Sequence, residues 1–99
     1  MSNVAIVYND SDTKGHYVGS VNGNFEVAEL TTSKVSPSLV IADHTFVPES
    51  MRGQGMARAL AERLIADARS AGQRIVPLCP FVRSFAERNK KELDDVIQW

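Results

Sequence analysis

The residues best suited to chemistry form one glycine-containing turn, Arg52-Gly53-Gln54-Gly55-Met56-Ala57. Glycine adopts backbone angles closed to other residues, and without a Cβ it lets main-chain NH groups approach an anion closely. The apolar spacing that follows predicts a helix whose first-turn NH groups carry a partial positive charge toward the same point. Arg52 adds a full charge that can bind two phosphate oxygens at once. The turn therefore predicts a diphosphate-binding site, with a purely structural turn as the alternative.

Two better-known phosphate loops do not fit these residues. The dinucleotide fingerprint Gly-x-Gly-x-x-Gly requires a third glycine where this chain has Arg58, and it normally follows the first strand. The P-loop requires a Gly-Lys pair, which the sequence lacks. We therefore expect the diphosphate to belong to a ligand other than ATP or NAD.

Composition narrows the class of protein. A chain of 99 residues is long enough for an ordinary core, so a single domain spanning residues 1–99 is predicted. Eleven basic and twelve acidic residues give a formal charge of −1, which argues against a nucleic-acid partner. No apolar run approaches the length of a membrane-spanning helix, so no membrane partner is expected. The single cysteine and the wide spacing of the two histidines predict no disulfide, no metal site and a reducing, cytoplasmic location.

The first half of the chain predicts an antiparallel meander. Residues 16–21 and 25–32 flank Asn22-Gly23-Asn24, and Asn-Gly between alternating segments is a strong signal for a hairpin. Residues 9–12 are rich in turn-forming types and predict a loop. After Ser36-Pro37, residues 39–47 form a third apolar run, which is predicted to be a strand.

The second half predicts a strand, helix, strand unit and a further helix. Apolar residues recur at helical spacing from Met56, and Gly72 stands where the helix should stop. Residues 74–79 predict a short buried strand parallel to 39–47, residues 81–89 a second helix, and residues 93–99 a tail that packs back. Ligands of such units lie beyond the carboxyl ends of the strands, which is where the glycine turn falls. The fold class is thus α+β with a mixed sheet.

These motifs resemble the GNAT acetyltransferase superfamily over residues 44–85. Its central strand, its Arg/Gln-x-x-Gly-x-Gly/Ala turn and the following helix bind the diphosphate of acetyl-coenzyme A. His44-Thr45-x-Val47, the glycine turn and Pro77-Leu78-Cys79-Pro80-Phe81 together look like its compact subgroup called N-acetyltransferase domain-containing proteins. With the preceding hairpin, the likeness covers nearly the whole chain.

The resemblance implies how the cofactor, acetyl-coenzyme A, is bound. Main-chain groups near Phe46 and Val47 would hold the pantetheine arm, and Arg52, Gly53, Gln54, Gly55, Met56 and Ala57 would hold the diphosphate. The chain departs from the superfamily in two respects. Phe85 stands where many members place a tyrosine that protonates the departing thiolate, and the N-terminal helices that often build the acceptor pocket are missing. Arg88, Lys90 and Lys91 are candidates for the 3′-phosphate, with a solvated helix end as the alternative.

Acetyl transfer to an amine requires a neutral nucleophile, and removing the proton of a lysine-type amine at pH 7 costs roughly 4 to 5 kcal/mol. His44 is the first candidate base, because histidine titrates near neutrality and lies on the strand that leads to the turn. Cys79 is the second candidate, as an acyl-accepting nucleophile or as part of a Cys/His pair. A structural histidine and a buried apolar cysteine are the alternatives. Glu49 is a candidate acceptor-site carboxylate, and His16 is expected at the surface.

Three functions compete on this sequence. The first is an N-acetyltransferase that acts by direct attack of a small-molecule or peptide amine in a ternary complex, as a monomer or homodimer. The second is a module that binds coenzyme A or acyl-coenzyme A without catalysis. It is favoured by Phe85, which stands in place of the tyrosine of many members. The third is a small interaction domain whose glycine turn is only structural.

Overall fold

The computed structural model describes residues 4–99, in which five strands form one mixed sheet. The strands are β1 (Val4–Asp10), β2 (Lys14–Val21), β3 (Ala28–Ser36), β4 (Leu39–Phe46) and β5 (Arg74–Pro77). They lie in chain order across the sheet; β1 to β4 are antiparallel, and β4 and β5 are parallel. The predicted meander, the predicted parallel pair and the α+β fold class with a mixed sheet are confirmed.

The connection between β2 and β3 is longer than the sequence predicts. β3 begins at Ala28, whereas the hairpin pattern placed its start at Phe25, which is fully exposed. The side-chain oxygen of Asn24 accepts a 2.9 Å hydrogen bond from the Glu26 amide. This local turn takes the chain away from the sheet for several residues before pairing resumes. Asn9 and Asp10, predicted to be loop residues, instead complete β1.

Three α-helices and one short 3₁₀ turn complete the fold: the 3₁₀ turn Glu49–Met51, α1 (Met56–Ala71), α2 (Pro80–Arg88) and α3 (Lys90–Leu93). One stripe of α1 is buried, consisting of Met56, Leu60, Ala61, Leu64, Ile65 and Ala68. Gly72 ends α1 in the left-handed conformation, with φ of +69°, as its position predicts. α2 begins at Pro80, one residue earlier than predicted, because proline at the first helical position forfeits no hydrogen bond.

The tail packs back beside β5, as predicted. The Ile75 amide donates a 2.7 Å hydrogen bond to the Val96 carbonyl, and the Gln98 amide donates a 2.8 Å hydrogen bond to the Ile75 carbonyl. Val96 and Ile97 are buried in the core. The guanidinium of Arg74 donates to the main-chain carbonyl of Ile97 at 2.7 Å. These contacts cover the outer edge of β5.

The alternation of buried side chains along the central strands defines a core face of the sheet. Tyr17, Leu30 and Ala42 lie on this face, and α1 packs over it, since a Cβ added at Gly19 would lie 2.5 Å from the Met56 sulfur. The residues that alternate with these along the strands point their side chains to the opposite face of the sheet. A β-bulge between β3 and β4 leaves Asp43 without an opposite residue, so the inward and outward positions of β4 shift beyond it.

The strands β4 and β5 separate at the end of the sheet from which the chain leads to the glycine turn. Their pairing runs from Leu39 opposite Arg74 to Ala42 opposite Pro77, and the Cys79 amide adds a last 2.8 Å hydrogen bond to the Ala42 carbonyl. β4 continues to Phe46 without further pairing to β5 in the described chain. The gap between the two strands opens toward the start of α1.

Candidate functional site

The glycine turn has the backbone conformation that its sequence predicts. Gly53 and Gly55 have φ of +82° and +76°, in the region that glycine enters without strain. Gly55 caps α1, and no side chain accepts a hydrogen bond from the amides at that end. Across residues 4–99, no protein oxygen accepts a hydrogen bond from the main-chain NH groups of residues 53–57. The turn thus presents a set of amides to a ligand, which we call the amide cradle (residues 53–57).

A cavity of about 550 Å³ lies against the amide cradle. One wall consists of residues that the sequence assigned to cofactor binding, namely Val47, Arg52, Gly53, Gly55, Met56 and Ala57. The facing wall comes from α2 and contributes Phe81, Phe85, Arg88 and Asn89. The volume falls in the ordinary range of small-molecule sites.

Two of the assigned residues lie outside this lining. The Gln54 amide group turns back and donates a 3.2 Å hydrogen bond to the Ser50 carbonyl, which holds the turn closed. Phe46 ends β4 with about half of its side chain exposed. Their predicted contacts with a cofactor therefore concern main-chain groups, as the resemblance implied for Phe46.

Three arginines give the cavity a positive rim. Arg52 is exposed, and its Nε lies 3.4 Å from the Val47 carbonyl. Arg58 pairs with Glu62 at 3.0 Å, and Arg88 approaches the Ser84 hydroxyl at 3.3 Å. Cations around a concave surface concentrate anions there. The cavity therefore combines an apolar interior with anion-binding main-chain and side-chain groups.

Of the three residues proposed for a 3′-phosphate, Arg88 lines the cavity. Lys90 instead places its ammonium 5.0 Å from the centre of the Trp99 ring. That contact fastens α3 to the end of the chain and points to a structural contribution of Lys90.

Phe85 confirms that α2 presents no hydroxyl at this position of the cavity. Its ring is buried and stacks on Phe81, with the ring centres 6.3 Å apart and the planes at 19°. The α2 wall is therefore apolar at the position that the resemblance equates with a tyrosine.

His44 and Cys79 lie on different sides of the sheet. His44 is exposed and pairs with Thr31 on the face away from α1. Cys79 is 2% exposed in the core, at the position that caps α2. Its sulfur lies 3.1 Å from the hydroxyl oxygen of Thr45. The Cys/His pair considered from the sequence is therefore wrong, because the two side chains lie on opposite faces of the sheet. The described partner of Cys79 is Thr45.

The remaining candidates lie at the surface. Glu49 is exposed in the 3₁₀ turn, where its carbonyl accepts a 3.1 Å hydrogen bond from the Arg52 amide. His16 is half exposed on β2 and pairs with Glu29 at 2.6 Å, in agreement with its expected position near the surface. The sequence analysis assigned no role to Thr45, because threonine is common in strands and nothing in its spacing marks it as a functional residue.

Comparison with known families agrees with this geometry. The model of a family described as GCN5-related N-acetyltransferase matches residues 16–96. The chain belongs to the GCN5-related N-acetyltransferase family. The match begins within β2, includes the amide cradle and both walls of the cavity, and ends within the tail. A comparison with curated proteins gives no match.

Proposed function

We propose that the protein is an N-acetyltransferase that transfers the acetyl group of acetyl-coenzyme A to a primary amine of a small molecule or peptide. The observation that carries the proposal is the amide cradle, whose NH groups have no protein acceptor and face a cavity with a positive rim. A diphosphate fits such a site, since it offers several oxygens to amides and to a helix N-terminus. Residues 1–99 would form a single acetyl-coenzyme A-binding domain.

The separation of β4 from β5 supports a place for the pantetheine arm. Beyond Ala42, the edge of β4 that faces β5 has no strand partner in the described chain. A ligand with amide groups can hydrogen-bond to such an edge as an additional strand would. The arm would run from the amide cradle past Val47 into the gap, which brings the thioester toward Thr45 and Cys79.

Direct attack by the amine is the mechanism that this geometry favours. Cys79 is 2% exposed and packs in the core, so a route through an acyl-cysteine would need an acceptor amine to reach a buried sulfur. His44 lies exposed on the other face and is the proposed base that removes the amine proton. A nearby base offsets the roughly 4 to 5 kcal/mol that deprotonation costs at pH 7.

A non-catalytic module that binds coenzyme A is the second candidate. It is favoured by Phe85, because the α2 wall offers no hydroxyl to the departing thiolate. The partners of either form would be an acyl-coenzyme A and, for the enzyme, an amine; the proposal places the protein in the cytoplasm as a monomer or homodimer. The structure describes no helix long and apolar enough to cross a membrane within residues 4–99.

Thiol release from acetyl-coenzyme A in the presence of a panel of primary amines tests the enzyme directly. The expected result is amine-dependent release that His44→Ala slows and His16→Ala leaves unchanged. The His16 variant is a matched control, because it removes an imidazole from the same face of the sheet. Tight binding without release for any amine would favour the module, and absence of binding would overturn both candidates.

A further inference from the structure

We propose that the Thr45 hydroxyl donates a hydrogen bond to the sulfur of the acyl donor and relays to it a proton from the Cys79 thiol. This inference rests on the proposed function, because it requires the thioester to lie in the gap between β4 and β5. It assigns to Thr45 the step that a hydroxyl on α2 would otherwise perform.

The location of Thr45 carries the argument. Thr45 lies opposite Leu30, so its side chain points toward the core face and not toward the face of His44. It stands beyond Ala42, the last residue of β4 that pairs with β5, on the part of the strand that borders the gap. Its hydroxyl oxygen is 3.1 Å from the Cys79 sulfur, which is short for an oxygen–sulfur hydrogen bond. A pantetheine arm that enters the gap beside Val47 would next meet Thr45, which precedes Val47 by two residues in the chain.

The other residues of the site offer no better acid. The cavity lining contains no tyrosine, histidine or carboxylic acid among the described residues, and Phe85 presents only a ring. The rim offers guanidinium groups, which are poor proton donors in acid catalysis. His44 faces away from the core and is already assigned to the amine. Thr45 lies outside this lining, on the part of β4 beyond its pairing with β5, and with Cys79 it is placed to protonate a sulfur that lies in the gap.

The proton balance of the relay is simple. The amine nitrogen forms a bond to the acetyl carbon, the carbon–sulfur bond breaks, and its electron pair stays on the cofactor sulfur. The Thr45 O–H bond breaks as that sulfur gains the proton, and the Cys79 S–H bond breaks as the Thr45 oxygen regains one. The proton lost by the acetylated nitrogen balances the one taken from Cys79, and the Cys79 thiol is restored through Thr45 once the products have left the gap. Both ends of the relay are thiols, so the S–H bond that breaks at Cys79 is of the same kind as the S–H bond that forms on the cofactor.

Affinity for coenzyme A and for desulfo-coenzyme A tests the contact without relying on turnover. Thr45→Val removes the hydroxyl at nearly constant shape and should weaken coenzyme A about fivefold, the usual worth of one neutral hydrogen bond. It should leave desulfo-coenzyme A unchanged, because that analogue lacks the sulfur. Thr45→Ser should retain the affinity of the unmodified protein. Equal weakening of both ligands by Thr45→Val would make Thr45 structural and overturn the proposal.

A matched control and a double variant complete the test. Thr32→Val removes a buried threonine hydroxyl from the core face and should change neither affinity. Thr45→Val and Cys79→Ala should each lower kcat, and the double variant should be no slower than either single one, because the two residues act in series. Additive losses would overturn the relay. If neither ligand binds the unmodified protein, the proposed function itself fails, which is a different outcome.

Discussion

Replacing Gly55 by alanine perturbs the amide cradle at its centre. Gly55 has φ of +76°, and a Cβ built there would meet no atom within 4 Å. The cost to folding is therefore that of holding an L-residue in the left-handed region, about 1–2 kcal/mol. For a domain of this size each kcal/mol lowers Tm by roughly 4–8 °C. We expect Gly55→Ala to fold with a Tm lowered by about 4–16 °C.

The same substitution should reduce affinity for acetyl-coenzyme A. If the backbone keeps its angle, the new methyl group enters the cavity; if it relaxes, the amides turn away from the ligand. Either change removes at least one hydrogen bond to a charged phosphate, which contributes about 1.5–3 kcal/mol. The expected loss of affinity is therefore about 10- to 150-fold.

Two other glycines provide matched controls for the effect on folding. Gly23 and Gly72 have φ of +86° and +69°, and a Cβ added at either would also meet nothing within 4 Å. They lie in the connection after β2 and at the end of α1, outside the cavity lining. Their alanine variants should lose similar stability and keep the full affinity for acetyl-coenzyme A.

Thermal unfolding and calorimetric titration of the three variants separate the two effects. The reasoning is refuted if Gly55→Ala loses stability as expected and still binds acetyl-coenzyme A within twofold of the unmodified protein. It is also refuted if Gly23→Ala weakens binding as much as Gly55→Ala, because loss of affinity would then follow from loss of stability.

Three further predictions concern the scaffold. Tyr17→Phe should lower the free energy of unfolding, measured in urea, by about 1.5 kcal/mol, because the Tyr17 hydroxyl donates a 2.7 Å hydrogen bond to a carboxylate of α1; an unchanged value would contradict this. A hydrogen bond from Arg69 lowers the pKa of Asp95, so their contribution to stability is present above pH 3.8 and disappears as the pH falls through the lowered pKa. Urea midpoints between pH 6 and 2 should show this loss, and Asp95→Asn should remove it. Gly15→Ala should lower the free energy of unfolding by about 1–3 kcal/mol, since the new Cβ would lie 2.4 Å from the hydroxyl oxygen of Thr32. An unchanged free energy in urea would contradict this and show that the sheet adjusts to the methyl group.

Local patterns in the sequence predict most of the fold. The stripe of α1, the stop at Gly72 and the parallel pair formed by β4 and β5 follow from apolar spacing and from turn residues, which act within a few positions of the chain. The left-handed conformation of Gly53 and Gly55 follows in the same way, since only glycine adopts it without strain. The backbone conformation of the wall proposed to bind the cofactor is therefore the part of the site that the sequence predicts best.

Contacts between distant segments are what the sequence does not predict. The bulge at Asp43 depends on how β3 and β4 align, and it decides that Thr45 and not His44 points toward Cys79. The late start of β3 depends on a side-chain hydrogen bond of Asn24, which competes with strand pairing. Such features arise from register and tertiary packing, for which a single sequence carries no periodic signal.

Backbone amide resonances of Gly53 and Gly55, followed by NMR as acetyl-coenzyme A is added to ¹⁵N-labelled protein, test the central claim most directly. We predict that both resonances shift with saturation as the diphosphate binds, whereas Gly23 and Gly72 remain in place. Pantetheine, which has no diphosphate, should leave all four unchanged. Saturable binding of acetyl-coenzyme A with unshifted Gly53 and Gly55 resonances would contradict the account.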